Sequence, residues 1–565
     1  MATDEEPKDD LEEARVSSGQ TAVEVLLIFV LFFVLAGGVP PDVNEAHYLA
    51  KAKHYWNPQW CRGDFFLESA DAHIVFYWTL GWLTQFLSLS ATAWIGRCLT
   101  WLLLAWAWQR LSVSILPARL SSLLTAALFA MLLRSGHMAG EWVIGGVEAK
   151  GFAYVLVLLG LEALVRTRWN AVWVFFGAAA AFHVLVGGWA VIAGLIAWCI
   201  SSKQRPAFKS MLPWLVAGGL TSLFGLVPGI VLAIGSDAAT VRDANEVYAW
   251  RLGHHLSFSH ILTQPITIDF DYLGVPAVAS SISHLYFLRH VALFLVAVGS
   301  FFFVKPKQPA RHLYCFCLGA IIIATAGIVI DQATFSHPDM AAKLLRYYWF
   351  RLSDVMLPLA TAFLIAQAIE RQRIEGPGLA AAALSASVVL VTLNVADVYL
   401  RRAYDPTPIA IVRAKLGETN DRQQQYRDWR NTCEWIREET PQDAVFLTPQ
   451  NQQTFKWYAE RAEVVCWKDV PQNANALVEW RDRLAAVFPR PVRWYGLAAH
   501  TPENLLELSG RYNFRYVVID RTLSQRGLPF RRVYPTRSQL DSVYEVYRLP
   551  TAAPPSLKDE RGGDG

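Results

Sequence analysis

Long apolar runs dominate this chain between residues 22 and 398 and leave few folds open to it. A helix needs about 20 mostly apolar residues to cross the hydrocarbon core of a bilayer. Runs near that length lie at 22–38, 94–110, 117–133, 147–165, 171–185, 186–200, 211–234, 284–304, 312–330, 355–369 and 377–398. About 11 transmembrane helices are therefore expected. The pair 171–185 and 186–200 reads as two short helices turning at Gly187-Gly188 or as one longer tilted helix. Residues 74–88 are apolar on every side but short, and their Trp and Tyr suit an interfacial helix at the headgroup level. Composition agrees: 18% of residues are charged, against about 25% in a soluble domain. A soluble enzyme, a disordered chain and a coiled coil are excluded.

The net charge of +3 gives no basic field for nucleic acid. Seven cysteines make no disulfide framework. Cys315 and Cys317 sit in an apolar run and read as small core residues. Cys433 and Cys466 fall in the polar C-terminal part, where pairing depends on the compartment.

Lys and Arg density sets the orientation. The short loops 110–119, 166–170, 201–209, 305–311 and 370–376 hold twelve Lys/Arg in 38 residues, Lys203 among them. The opposite loops, 39–73, 134–150, 235–283 and 331–354, hold ten in 125 residues. The first set is expected to be cytoplasmic, with the N-terminus. Eleven crossings then place the C-terminus outside, in an integral protein of a bacterial inner (plasma) membrane. Residues 1–20 read as an acidic disordered tail, 21–400 as the transmembrane domain with large outer loops 39–91 and 235–283, and 551–565 as a second disordered tail. Between them, 401–550 reads as a soluble α/β domain. Helices are expected there at 426–438, 474–487 and 502–511, and strands at 444–448, 462–467, 516–520 and 543–548. The fold class is an α-helical polytopic membrane protein with a C-terminal soluble α/β domain.

The long loops all lie on the expected outer side, and they carry the unusual polar content. In the first, Asp42 and Glu45 stand at the start of a helix over 44–56. They read equally as caps, stabilised by free N–H groups, and as carboxylates placed to accept a proton at the membrane surface. In the second, Glu148 and Lys150 adjoin a span behind Gly145 and Gly146; the plain reading is a surface ion pair. In the third, Arg251, His254 and His255 lie beside Tyr248 and Trp250. They suit an anionic group such as a lipid phosphate as well as they suit an interfacial anchor. A zinc site needs three or four ligands at defined spacing, and none can be assembled, so no clear motif supports a divalent metal. In the fourth, Lys343, Arg346 and Arg351 run against the positive-inside tendency. Phosphate binding is one reason for them, and pairing with Asp354 or the first-loop carboxylates is another. His183 reads as a satisfied polar group near a helix end. No phosphate-cradling G-x-x-x-x-G-K-[ST], no G-x-G-x-x-G after a strand and no G-x-S-x-G elbow occurs.

The first span followed by Asn44-Glu45-Ala46-His47-Tyr48, then His73-Ile74-Val75-Phe76-Tyr77-Trp78, then Trp94-Ile95-Gly96-Arg97, resembles the GT-C superfamily of membrane glycosyltransferases. The protein O-mannosyltransferase and lipid A aminoarabinose transferase branch is the most similar. The pattern covers about the first 170 residues, and Glu148 matches the placement of that family's second-loop acid. The chain departs from the family where its Asp-Glu reads Asn44-Glu45, with Asp42 two residues earlier. The segment TPQNQQTFKWYAERAEVVCWKDVP is similar to one found in uncharacterised bacterial membrane proteins.

This resemblance implies transfer of a sugar from a polyprenyl-phosphate donor to an acceptor on the outer face. Glu45 is expected as the base, supported by Asp42 and Glu148. Arg251, His254, His255, Lys343, Arg346 and Arg351 are expected to hold the leaving phosphate. Two rivals remain: a lipid or small-solute transporter, which needs ionisable residues at mid-membrane, and a non-catalytic GT-C-like scaffold, which Asn44 favours.

Overall fold

The computed structural model of the chain describes residues 18–201, 205–264, 266–270, 275–280, 284–308, 310–410, 422–535 and 542–550. Most of the expected N-terminal tail, all of the C-terminal one and Lys203 lie outside the described residues.

Seven helices are long and apolar enough to cross a membrane: Ser18–Ala36, Leu89–Ile115, Phe208–Leu232, Leu285–Val304, Arg311–Ala333, Arg351–Glu375 and Pro377–Tyr404. The first begins inside the expected tail. The other four expected spans form shorter helices, Ser121–Gly136, Ala149–Val165, Trp169–Phe182 and Val184–Ile200. Length and composition therefore do not support the count of eleven. The break between the last two falls at His183, whose extended backbone (φ −146°, ψ 101°) ends one helix and caps the next. Gly187-Gly188 lies inside a helix instead. The expected interfacial helix 74–88 is two pieces, an α-helix Ile74–Thr79 and a 3-10 turn Gly81–Gln85. Trp78, Trp82 and Phe86 are exposed there.

Arg351–Glu375 is the central helix, with 83% of its apolar window buried. Around it Trp108 stacks between Phe129 and Phe363, with ring centroids 4.6 and 5.4 Å away. Pro377–Tyr404 is an outer wall, only 11% buried. Its exposed Val388, Leu390 and Leu393 suit contact with lipid tails rather than water. The helices Trp169–Phe182 and Phe208–Ile234 cross with their backbones touching. A Cβ on Gly177 would lie 2.1 Å from the Gly218 carbonyl oxygen. Only glycine permits that approach.

All four long loops converge at one end of the bundle, and the C-terminal domain sits on the same end. The loop 235–283 forms a helix Ala238–Leu256, a short helix Phe258–Thr263, and an antiparallel hairpin of β1 (Ile266–Phe270) and β2 (Val275–Ser280).

The C-terminal domain is a five-stranded sheet of β3 (Val445–Leu447), β4 (Ala462–Glu463), β5 (Tyr516–Asp520), β6 (Arg531–Tyr534) and β7 (Tyr544–Arg548), in the order β4-β3-β5-β7-β6. The pairs β4-β3 and β3-β5 are parallel, and the rest are antiparallel. Helices Arg422–Glu439, Ala474–Val487 and Pro502–Tyr512 cover it. Strand period two is clear in β5. Val517 and Ile519 pack on Trp480 and Leu505, while Tyr516 and Val518 pack on Trp429. The expected strand 462–467 shrinks to two residues, and β6 was not expected. Its arginines hide the alternation. All seven cysteines are free thiols, so Cys433 and Cys466 do not pair.

A buried charge cluster fastens this domain to the first loop. The Lys456 ammonium contacts Glu463, Asp469 and, at 3.5 Å, Asp64 of the first loop. Asp64 also accepts the Glu463 N–H at 3.0 Å. All four side chains are 2% exposed or less. Burial pushes the Glu463 carboxyl up to about 7, with Lys456 pulling the other way. Removing the lysine leaves three buried carboxylates without their cation. We expect Lys456→Ala to cost about 3–5 kcal/mol of stability and to make the C-terminal domain an early target in limited proteolysis. A digestion pattern and melting temperature like those of the native protein would contradict this.

Candidate functional site

The second loop, 137–148, has no helix or strand to absorb its backbone hydrogen bonds. Carboxylates from other elements do so. Asp354, in the first turn of the central helix, accepts the N–H groups of Met138 (2.7 Å), Ala139 (2.8 Å) and Glu141 (3.2 Å). Asp42 accepts that of Gly146 at 2.8 Å, and Glu45 that of Val147 at 2.8 Å. The fit at Gly146 is close: a Cβ there would lie 2.6 Å from the Asp42 Cβ.

Glu45 is further engaged. Arg97 Nε donates to its Oε1 at 2.6 Å and an Arg97 Nη to its Oε2 at 2.5 Å. The Asp42 N–H donates to Oε2 at 2.7 Å. With Val147, four donors occupy the carboxylate, and both Glu45 and Arg97 are 1% exposed. A carboxylate has about four lone-pair sites. Glu45 therefore has no acceptor position left for a substrate proton, which corrects the role expected from sequence. Asp42 is likewise a clamp, its Oδ1 taking the Val43 N–H at 2.7 Å.

The clamped loop forms one wall of a cavity of about 370 Å³. The first loop contributes Asn44, His47 and Tyr48, the third contributes Tyr248, Arg251, His254 and His255, and the fourth contributes Tyr348 and Arg351. Lys468 of the C-terminal domain closes it. Four cations (Lys150, Arg251, Arg351, Lys468) face two acids (Glu141, Glu148). Arg351 Nε lies 3.0 Å from Glu141 Oε2, though its N–H is not aligned on that oxygen. The Lys150 ammonium stands 3.7 Å from Glu141 and 3.6 Å from Glu148. It also lies over the Trp142 ring at 3.9 Å. Burial, then the neighbouring Arg251, pulls the Lys468 ammonium down. Such crowding of cations is relieved by an anion.

Glu148 is the loosely held acid. Its contacts are the Asn44 amide at 3.3 and 3.5 Å and Lys150 at 3.6 Å. Burial raises its carboxyl above the usual range, and Lys150 opposes that. Asn44 stands at the resemblance's Asp position and donates to Glu148. An acid there would meet a second carboxylate at that distance.

Of the expected phosphate ligands, Arg251, His254, His255 and Arg351 line the cavity. Arg346 and Lys343 do not. Arg346 hydrogen-bonds Asn245 at 2.7 Å, and Lys343 is exposed on the helix Pro338–Leu345. Burial pulls His255 down to about 3, and its Nδ1 contacts the Ala139 carbonyl at 2.5 Å. It is a neutral hydrogen-bonding group, not a cation. Sequence reading missed Glu141, Lys468 and Tyr348. Glu141 stood seven residues before Glu148, but nothing local marked it as a partner of Arg351. The gap between Glu141 and Glu148 holds the Lys150 ammonium, so these residues do not fit a divalent cation. Among the described residues Glu463, Cys466 and Asp469 could group around a metal, but Lys456 already contacts two of them.

A second cavity, of about 560 Å³, lies beside the end of Pro377–Tyr404 and is lined by Arg97, Arg134, Arg401 and Arg402. Gly140, Glu141 and Trp142 line both cavities.

Comparison with known proteins gives little beyond this. A domain of unknown function, DUF6798, matches residues 427–487. No curated protein matches. Among solved structures, the chain is similar to the archaeal oligosaccharyltransferase AglB from Archaeoglobus fulgidus, in complex with an inhibitory peptide and a dolichol-phosphate. The identity is 10%, 95% of this chain and 75% of that one are covered, and the TM-score is 0.44. An Archaeoglobus fulgidus oligosaccharyltransferase in complex with Zn and sulfate matches at 13% identity, covering 88% and 67%, with a TM-score of 0.29.

His73, beside the cavity, bonds to the Tyr48 hydroxyl at 3.3 Å, and burial lowers it to about 4. Between pH 6.5 and 4 an unfolded chain binds a proton there that the folded one refuses, so acid weakens the fold. His73→Gln removes this term. The native protein should lose stability relative to that variant by up to about 1.4 kcal/mol per pH unit over the window. Parallel melting curves across it would refute the assignment.

Proposed function

We propose that this chain is a membrane glycosyltransferase that moves a sugar from a lipid-phosphate donor to an acceptor hydroxyl in the 370 Å³ cavity. The supporting observation is the pairing of one loosely held, proton-hungry carboxylate, Glu148, with a surplus of buried and half-buried cations at the loop end of a membrane bundle. Displacing a sugar from its phosphate forms a bond from acceptor oxygen to anomeric carbon and breaks the bond from that carbon to the phosphate oxygen. Negative charge then gathers on the leaving phosphate. Fixed cations stabilise it as it develops; Arg351, Arg251 and Lys468 are the groups for this, and His254 and His255 add neutral hydrogen bonds. The acceptor proton passes to Glu148. Lys150 keeps Glu148 charged between turnovers, and Glu141 orients Arg351. Glu45 and Asp42 serve by holding the wall. The loop end is read as extracytoplasmic, opposite the Lys/Arg-rich loops, in a bacterial plasma membrane.

Protein in nanodiscs, supplied with radiolabelled polyprenyl-phosphate sugars, tests this. Release of the sugar is expected, and Glu148→Gln should slow it by about 10²–10⁴-fold with an unchanged elution profile. Wild-type rates in Glu148→Gln, or loss of transfer without loss of stability in Glu45→Gln, would overturn the assignment of roles. No release from any polyprenyl-linked sugar would count against transfer itself.

A further inference from the structure

Four histidines line the 370 Å³ cavity, and their surroundings differ. His255 is neutral and occupied by the Ala139 carbonyl. His254 is pulled down by burial, then by Arg251. His183 Nε2 lies 3.2 Å from an Arg351 Nη. His47 is the one of the four that meets a carboxylate among the described residues: its Nδ1 stands 3.5 Å from Asp469 Oδ1.

This contact joins two parts of the chain. His47 stands on the first-loop helix Glu45–Trp56, three residues after Asn44, the amide that holds Glu148, so the two share a helical face. Asp469 comes from the C-terminal domain, and Lys456 fixes its Oδ2. Its Oδ1 is buried, has no hydrogen-bond partner, and faces the His47 ring. Against burial, which raises it, Lys456 and then His47 hold the Asp469 carboxyl below its usual range, so the acid is charged. The separation is loose for a hydrogen bond, as catalytic contacts often are before substrate tightens them. The His47 ring packs on Phe66 with centroids 4.3 Å apart, and its side chain is 18% exposed. No hydrogen bond occupies either ring nitrogen among the described residues, and neither nitrogen is sealed from open space. The other charged or titratable groups about it are Glu148, Lys150 and Lys468 in the cavity, His73 beside Tyr48, and Lys456 and Glu463 beyond Asp469.

A carboxylate against one imidazole nitrogen fixes the ring's orientation and favours its charged form. With Nδ1 on Asp469, Nε2 is the donor left for the cavity. When a sugar leaves its lipid phosphate, the electron pair of the broken bond stays on the phosphate oxygen. The second pKa of a phosphate monoester, about 6, is close to that of imidazoles in general, about 6.5, so a proton between the two groups moves at little cost. We infer that His47, backed by Asp469, is the proton donor to the leaving phosphate. Its Nε2 proton passes to the oxygen that separates from the anomeric carbon, while the acceptor's proton goes to Glu148. Exchange with solvent then returns a proton from Glu148 to His47, and the cycle closes without a co-reactant. The C-terminal domain is thereby part of the reaction centre and not only its cover. This inference rests on the transfer reading of the cavity.

Two measurements on the full chain in nanodiscs test it. The first is titration with methyl farnesyl phosphate, a phosphodiester of fixed charge that carries no sugar and is not turned over. At about pH 6 the wild type should bind this probe about tenfold more tightly than His47→Gln, and the gap should narrow at about pH 8. Asp469→Asn should reproduce the loss; if it does not fold, His47→Gln decides. The second is sugar release, in which His47→Gln should lower kcat by about a further 10²-fold. A merely structural role would not produce that split between affinity and kcat, because the proton moves only as the bond breaks. Equal affinity and equal kcat in wild type and His47→Gln overturn the proton donor and leave transfer standing. A wild type that binds the probe but releases sugar from no polyprenyl-linked donor overturns the transfer reading, and the proton step with it.

Discussion

Five backbone N–H groups of an irregular buried loop find their acceptors on three carboxylates that belong to other parts of the chain. Without them, loop 137–148 would carry unpaired polar groups inside the protein, which is among the costlier faults a fold can have. With them, the first loop, the second loop and the central helix become one rigid corner. The cavity wall, the position of Glu141 and the entry of Glu148 into its helix all follow from that corner.

The same arrangement divides the acids by task. A carboxylate with all its lone pairs occupied is a strut. One with long, sparse contacts keeps proton affinity to spend. Glu45, with four donors, is of the first kind and Asp354, with three, comes close to it; Glu148 is of the second, although all three are buried. Burial alone would not have separated them; the donor inventory does.

Much of the architecture was legible in sequence, because helix hydropathy and strand alternation are local signals. The helix Ala474–Val487 and the strand Tyr516–Asp520 fall where the pattern placed them. The count of eleven spans goes unconfirmed where helices are short and packed among others, since an apolar run reports burial and not what it is buried in. The site was legible in its residue types but not in their roles. Arg97 stood near the start of the second expected span in plain view, yet its partner lies 52 positions away. Which acid it neutralises is set by tertiary contact. The charge state of the histidines was not legible for a related reason: proton affinity depends on a burial that sequence does not show.

One consequence concerns the strip Gly140–Trp142. Its residues face two chambers, one rich in arginine near the bundle's last helix and one lined by the mixed charges described above. The chambers are thus rooms with a common partition three residues wide, held to Asp354 through the Glu141 N–H and through Met138 and Ala139 just before it. A bulkier or smaller side chain in that strip resizes both rooms together, so neither can be reshaped in isolation at this boundary.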